Sequence, residues 1–247
     1  MAPYELIQAC IESGVESIEW GSDVHVPAGD LDNAKQIGEW TRDFGLSIAS
    51  YGSYLGFPWA HGPLEKIDNV IETALSLGAP RIRIWAGPHG SDQASEAERH
   101  ETASTIGAIC DRAAASELEV ALEFHHGTLA DTFTSTLLLL DEVGAPNLST
   151  YWQPRIGASN KEALADLHGL DSEVSTIHVF SWNEKYERFP LKTKEDLWNS
   201  VFERAAKSPH VTDALLEFLP GNKASLLDSE ITTMKRWREQ AAPGGNK

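Results

Sequence analysis

The chain has 247 residues, 41% of them apolar, and a formal charge of −17. That length and apolar share are enough for one substantial core, and no stretch approaches the roughly 18–20 continuous apolar residues of a membrane span. The acidity argues against nucleic-acid binding, which needs a basic face, and suits a small-molecule partner.

The N-terminus lacks a basic-then-apolar leader pattern, so a cytoplasmic protein is expected. Cys10 and Cys110 fall in predicted helices, which suits a reducing compartment without disulfides. In chain order, a helix over 3–14 ("PYELIQACIESG") leads into an apolar, strand-like run at 16–20 ("ESIEW"). Further runs follow at 46–52 ("LSIASYG"), 81–85 ("RIRIW"), 118–124 ("LEVALEF"), 148–153 ("LSTYWQ"), 175–180 ("STIHVF") and 214–219 ("ALLEFL"). Helical patterns separate the first five, at 31–45, 63–78, 96–115 and 131–144, and a last helix spans 225–240. The helix at 63–78 begins with Pro63 and ends with Gly78, as helices often do. Gly14, Gly45, Gly78 and Gly144 each close a helix just before the next strand.

Strands and helices that alternate in units of about 30 residues predict a parallel sheet wrapped by helices. No strand is followed by G-x-G-x-x-G or a P-loop, so an open nucleotide-binding sheet is disfavoured. Seven strands at a near-constant period fit a (β/α)₈ TIM barrel lacking its first strand, over residues 1–241, with a loose tail at 242–247. A barrel short of that strand would expose apolar strand edges; a short start to the chain is the expected reason, with cover by another segment or subunit as the alternative. Nothing in the sequence decides against a homo-oligomer.

In such barrels the chemistry gathers at the C-terminal strand ends, and alternation sorts axis-facing from helix-facing side chains. In "VALEF" this leaves Glu123 facing the axis; "TYWQ" aims Gln153, "TIHVF" aims His178 and "LLEF" aims Glu217, with Leu216 and Phe218 turned towards the helices. Two carboxylates, an imidazole and an amide oxygen form an O/N set suited to one divalent ion, Mn, Mg, Co or Zn, with positions left for substrate oxygens. The plainer reading pairs the two glutamates with Arg83 as interior charges, His178 being merely hydrogen-bonded nearby. The same parity puts Glu19 and Arg83 on the axis, where a structural ion pair is expected.

Taken as a set, "IEWGSDVHVPAGD", "ASYGSYLG", "RIRIWAG", "ALEFHHGTLADT", "TYWQP" and "IHVFSW" resemble the sugar phosphate isomerase/epimerase family, with its xylose-isomerase-like TIM barrel, from about residue 3 to 240. In that family one divalent ion is held by Glu, Asp, His and Glu from four successive strands. Carried over by motif position, the resemblance implies metal ligands Glu123, Gln153, His178 and Glu217, with Glu123 and Glu217 also the acid/base pair. The sequence departs from the pattern where Gln153 replaces Asp, which removes one negative charge from the ligand set, and where the first strand is missing.

Around the expected mouth, Asp23 and His25 lie on the loop after the first strand and are candidate substrate contacts; ordinary loop roles are the alternative. Trp85 and Trp182 have inward parity and could stack on a sugar face, whereas Trp20 and Trp152 should pack between strand and helix. His125 is a candidate substrate contact or proton carrier, and His126 a loop residue. Arg155 is a candidate anion or hydroxyl contact, with a surface arginine as the alternative, and Arg188 is a candidate substrate contact on a loop, "NEKYERFPLK", long enough to act as a lid. The resulting expectation is a metal-dependent isomerase or epimerase of a sugar-like hydroxy-ketone, working by enediolate proton transfer. A keto-sugar lyase or dehydratase uses the same intermediate, and a non-catalytic sugar- or partner-binding barrel is the alternative from another class. An endonuclease-IV-like hydrolase would need more metal ligands and a basic groove.

Overall fold

A computed structural model of the chain describes residues 1–56 and 64–242. Its helices and strands alternate as the periodicity predicts: α1 (Pro3–Glu12), β1 (Ser17–Gly21), α2 (Leu31–Asp43), β2 (Ser47–Gly52), α3 (Leu64–Leu77), β3 (Arg81–Ile84) and α4 (Glu96–Ala114). Then come β4 (Glu119–Leu122), α5 (Phe133–Val143), β5 (Leu148–Trp152), α6 (Asn160–Leu170), β6 (Val174–Val179), α7 (Glu195–Ala205), β7 (Asp213–Leu216) and α8 (Leu227–Ala241). Among the described residues, seven parallel strands alternating with helices give the TIM-barrel class expected from the sequence. The expected helix start at Pro63 and most of the 242–247 tail lie outside the described residues. Among the described residues no helix is long and apolar enough to cross a membrane.

The chain divides into two compact units, Met1–Ile11 with Glu16–Thr150, and Glu12–Val15 with the chain from Tyr151 onward. In the first, β1 to β4 pair parallel in chain order, and β4 continues onto the start of β5. Ile82, Ile84, Val120 and Leu122 are fully buried, and each such side chain contributes about 1.5–3 kcal/mol relative to exposure. Trp20 is also fully buried and donates from Nε1 to Thr41 Oγ1 of α2 at 3.1 Å, the strand-to-helix role its parity predicts. The β1–β2 register slips once: Ile18 faces Ile48 but Glu19 faces Ser50, so Ala49 is an extra residue in β2. Such a bulge re-aims the side chains that follow it.

Helix boundaries follow local chemistry. Ser95 and Glu98 form a reciprocal capping box at α4, Ser159 and Glu162 another at α6, and Thr132 caps α5; these residues satisfy N–H groups the helix itself cannot. Gly144 ends α5 at φ 63°, a left-handed conformation that favours glycine.

In the second unit β6 pairs parallel with β7, from Thr176–Asp213 to Val179–Leu216. Trp152 is fully buried and packs edge-on against Trp198 of α7, with ring centroids 6.3 Å apart, again the expected strand-to-helix role. One parity expectation fails. The last strand stops at Leu216, and Phe218 takes φ 60°; instead of being buried towards the helices, Phe218 is 44% exposed. The Glu217 N–H still bonds to Val179 O at 3.0 Å, so the ladder outlasts the strand by one residue.

Candidate active site

Four strands of the first unit build a buried charge chain. Arg83 on β3 lies between Glu19 of β1, Nε to Oε1 3.2 Å, and Glu123 just after β4, where Nη1 bonds Oε2. The side chains of Glu123, Arg83 and Glu19 are only 3%, 12% and 16% exposed. Ser50 Oγ on β2 donates to Glu19 Oε2 at 2.6 Å. The expected Glu19–Arg83 pair is therefore present, and Glu123 joins it.

The segment that follows Glu123 ties His125 to its own loop. Its N–H donates to Ala130 O at 2.9 Å, and its carbonyl accepts from Thr128 Oγ1 at 2.8 Å. Its ring meets Trp85 edge-on at 5.0 Å and stacks on His126 at 4.1 Å. His125 Nδ1 lies 2.7 Å from the His126 carbonyl oxygen. A carbonyl only accepts, so Nδ1 carries the hydrogen in this contact.

Trp85 stacks on Tyr54 at 6.0 Å, and Tyr54 OH donates to Asp23 Oδ2 at 3.3 Å. Asp23, Trp85 and His125 are thus linked through Tyr54. Sequence reasoning passed over Tyr54, although it stands in the "ASYGSYLG" motif just past the strand end. His25 turns elsewhere: its ring packs against Trp20 at 5.5 Å, and Nε2 lies 3.2 Å from Met1 O.

In the second unit the ends of β5, β6 and β7 bring together three of the four expected ligands. His178 Nδ1 stands 3.0 Å from Gln153 Oε1 and 3.6 Å from Glu217 Oε2. Tyr151 meets the His178 ring edge-on at 5.0 Å, and Gln153 and His178 are both buried. Two oxygens converge on one imidazole nitrogen. Without a proton or cation among them their lone pairs repel, so either Nδ1 carries a hydrogen for Gln153 or a divalent ion joins all three. The donor set fits Mg, Mn, Co or Zn by ligand chemistry.

The loop expected to act as a lid is a closed hairpin. Trp182 and Arg188 form an antiparallel bridge, Phe189 N bonds Ser181 O at 2.8 Å, and Asn183 N bonds Glu187 O at 3.2 Å. Arg188 lies 4.0 Å over the Phe218 ring and 5.5 Å over Trp182, and its Nη1 donates to Asn222. Tyr186, Phe218 and Asn222, all in this corner, have positive φ of 55–60°, a strain that clusters at binding sites. Arg155 instead donates from Nε to buried Asp166 of α6 at 2.7 Å, an anchoring role that needs no substrate. Burial pushes the Cys10 thiol up to about 11 and the Cys110 thiol to about 12, so both are neutral near pH 7 and poor nucleophiles.

Residues 7–155 match the sequence profile described as xylose isomerase-like TIM barrel. A 3-dehydroshikimate dehydratase of Bacillus anthracis is 32% identical to the chain, over 93% of this chain and 90% of that protein. Among solved structures, the probable 3-DHS dehydratase AsbF of Bacillus anthracis, involved in petrobactin synthesis, superposes with a TM-score of 0.80 at 22% identity, covering 95% of this chain and 94% of the other. A xylose isomerase-like TIM barrel protein from Mycobacterium smegmatis, in complex with magnesium, has a TM-score of 0.70 at 13% identity, covering 98% and 89%. At these identities the structural likenesses show the fold.

Proposed function

Because the chain belongs to the xylose isomerase-like TIM barrel family and its named relatives include a dehydratase, we propose that it is a divalent-metal-dependent dehydratase of a cyclic hydroxy-ketone of the 3-dehydroshikimate type. The observation that carries this reading is the 32% identity to a named 3-dehydroshikimate dehydratase, sustained over 93% of the chain. It moves the lyase chemistry ahead of the isomerase or epimerase reading that the strand-end residues suggested first.

The proposed ion is held by Glu123, Gln153, His178 and Glu217, with the magnesium complex of a structural neighbour as support. When bound, a divalent ion polarises a ketone oxygen and lowers the pKa of the adjacent C–H. The chain's own part is proton transfer and positioning. His125, held as the Nδ1–H tautomer, takes the proton from the carbon next to the ketone onto Nε2. The enolate pair then expels the β-hydroxyl, which receives a proton from the imidazolium and leaves as water. One water is lost and nothing is oxidised or reduced. In an isomerase the glutamate carboxylates would return the proton to carbon instead.

Trp85 supplies an apolar wall beside His125, with Asp23 and Tyr54 at its edge. Arg188, already held by Asn222 and flanked by Trp182 and Phe218, is the proposed anchor for the substrate carboxylate. A charge-assisted hydrogen bond is worth about 1.5–3 kcal/mol, so Arg188→Ala should raise KM roughly 10- to 100-fold with a much smaller change in kcat. An unchanged KM would remove Arg188 from the site.

The reading is tested by incubating purified protein with 3-dehydroshikimate and added Mn²⁺, Mg²⁺, Co²⁺ or Zn²⁺, and following the loss of water by mass. Metal-dependent dehydration is expected. No turnover with any of the four ions, together with metal-dependent deuterium exchange into ketoses, would replace the dehydratase with an isomerase or epimerase.

A further inference from the structure

The charge chain of the first unit contains more than the ion-binding reading uses. We propose that Glu19 is a positioning residue and counter-charge: it absorbs the positive charge of Arg83, which would otherwise cancel the Glu123 carboxylate and weaken its hold on a divalent ion. This inference rests on the metal reading above. Glu123 contacts Arg83 directly, and Arg83 in turn contacts Glu19. Glu19 and Glu123 together carry one more negative charge than Arg83 offsets, and that surplus is what a cation sees. Without Glu19, the Arg83–Glu123 pair is neutral. Gln153 adds no charge, so the loss would fall on a ligand set that already has little to spare.

The strands are built around this arrangement. The bulge at Ala49 brings Ser50 opposite Glu19, where its hydroxyl fixes Oε2 at 2.6 Å. Two residues on, Gly52 pairs with Arg83 on the same face of β2. A β-carbon at position 52 would stand 2.6 Å from Arg83 Nη2 and 2.9 Å from Glu19 Oε1. One β2 residue therefore orients the carboxylate, and the other leaves space for the ion pair.

Mn²⁺ titration of the purified protein, read by the electron paramagnetic resonance of free Mn²⁺, tests this without reference to turnover. Glu19→Gln should raise the Kd for Mn²⁺ about 10- to 100-fold, the range seen when groups that orient metal ligands are removed, and Glu19→Asp should recover part of that loss. Adding Arg83→Gln to Glu19→Gln restores the net charge and should bring the affinity back towards wild type. A Glu19→Gln protein that binds Mn²⁺ like wild type overturns the proposal. So does a double variant that binds more weakly than Glu19→Gln, because a merely structural pair would give that result. Wild-type protein that takes up no Mn²⁺ defeats the metal reading itself, a separate outcome. If circular dichroism shows Glu19→Gln unfolded, Ser50→Ala removes only the orienting hydroxyl; it should weaken Mn²⁺ binding about 2- to 10-fold, and an unchanged Kd overturns the proposal.

Discussion

Alanine at His125 is expected to lower kcat for metal-dependent dehydration by about 10²- to 10⁴-fold, the usual contribution of a positioned general base, while Mn²⁺ affinity stays at the wild-type value. The separation of the two readouts follows from geometry. His125 is fixed by its own loop, through Ala130, Thr128 and the His126 carbonyl, and its Nδ1 hydrogen is committed to that carbonyl, so the proposed proton transfer falls to Nε2. Removing the imidazole therefore takes away the proposed base and leaves the Arg83–Glu123 contact in place. Kinetics at saturating Mn²⁺, with solvent-deuterium exchange into the substrate, would check this. A His125→Ala enzyme retaining more than about a tenth of wild-type kcat would assign the proton transfer to another group.

Glu123→Gln should have the second large effect, on two quantities at once. The amide keeps the shape and an acceptor oxygen but loses the charge, so Mn²⁺ binding and dehydration should both fall below detection. Stability should fall as well. Breaking a buried ion pair typically costs about 3–5 kcal/mol, because the remaining charge is left without full compensation. Here Arg83 keeps Glu19 as a partner, so the lower end of that range is expected and a folded protein should remain. Denaturant unfolding of the two proteins side by side would measure the cost. Wild-type Mn²⁺ affinity in Glu123→Gln would exclude Glu123 as a ligand and leave the plainer reading, an interior charge paired with Arg83. Glu19→Gln, by contrast, should weaken the ion without abolishing it, which separates the ligand from the residue that supports it.

Much of the fold was legible because it depends on neighbours in the sequence. The alternation in "VALEF" that turns Glu123 to the axis leaves Val120 and Leu122 on the other side, and both are fully buried. Gly14, Gly45, Gly78 and Gly144, read as helix stops, all have positive φ, at 68°, 80°, 82° and 63°. Parity also selected Glu19, Arg83, Gln153, His178 and Glu217, and the structure pairs Glu19 with Arg83 and gathers Gln153, His178 and Glu217 around one nitrogen.

Parity failed where the backbone left its regular path. Phe218 was assigned to the helix side, but a positive φ ends the alternation there. Length alone makes the 183–192 loop a candidate lid, and hydrogen bonds between its two arms make it a hairpin. Arg155 was read as a surface or substrate residue; a buried aspartate eleven positions along the chain claims it. Tyr54 was missed because its role depends on Asp23 and Trp85 meeting it in space.

By itself the sequence determined the order of strands and helices, the residue that ends most helices, and the side of each strand on which a carboxylate or imidazole stands. Those properties follow from a repeat of two or of 3.6 residues and from the conformations that glycine and capping side chains favour. Only the tertiary structure decided which charge answers which. Ser50 reaches Glu19 through a one-residue slip in register, and Arg83 is shared between two carboxylates 104 residues apart in the chain, Glu19 and Glu123. Burial strengthens such electrostatic pairings and makes an unpaired charge costly, and neither the burial nor the distances are written in local sequence.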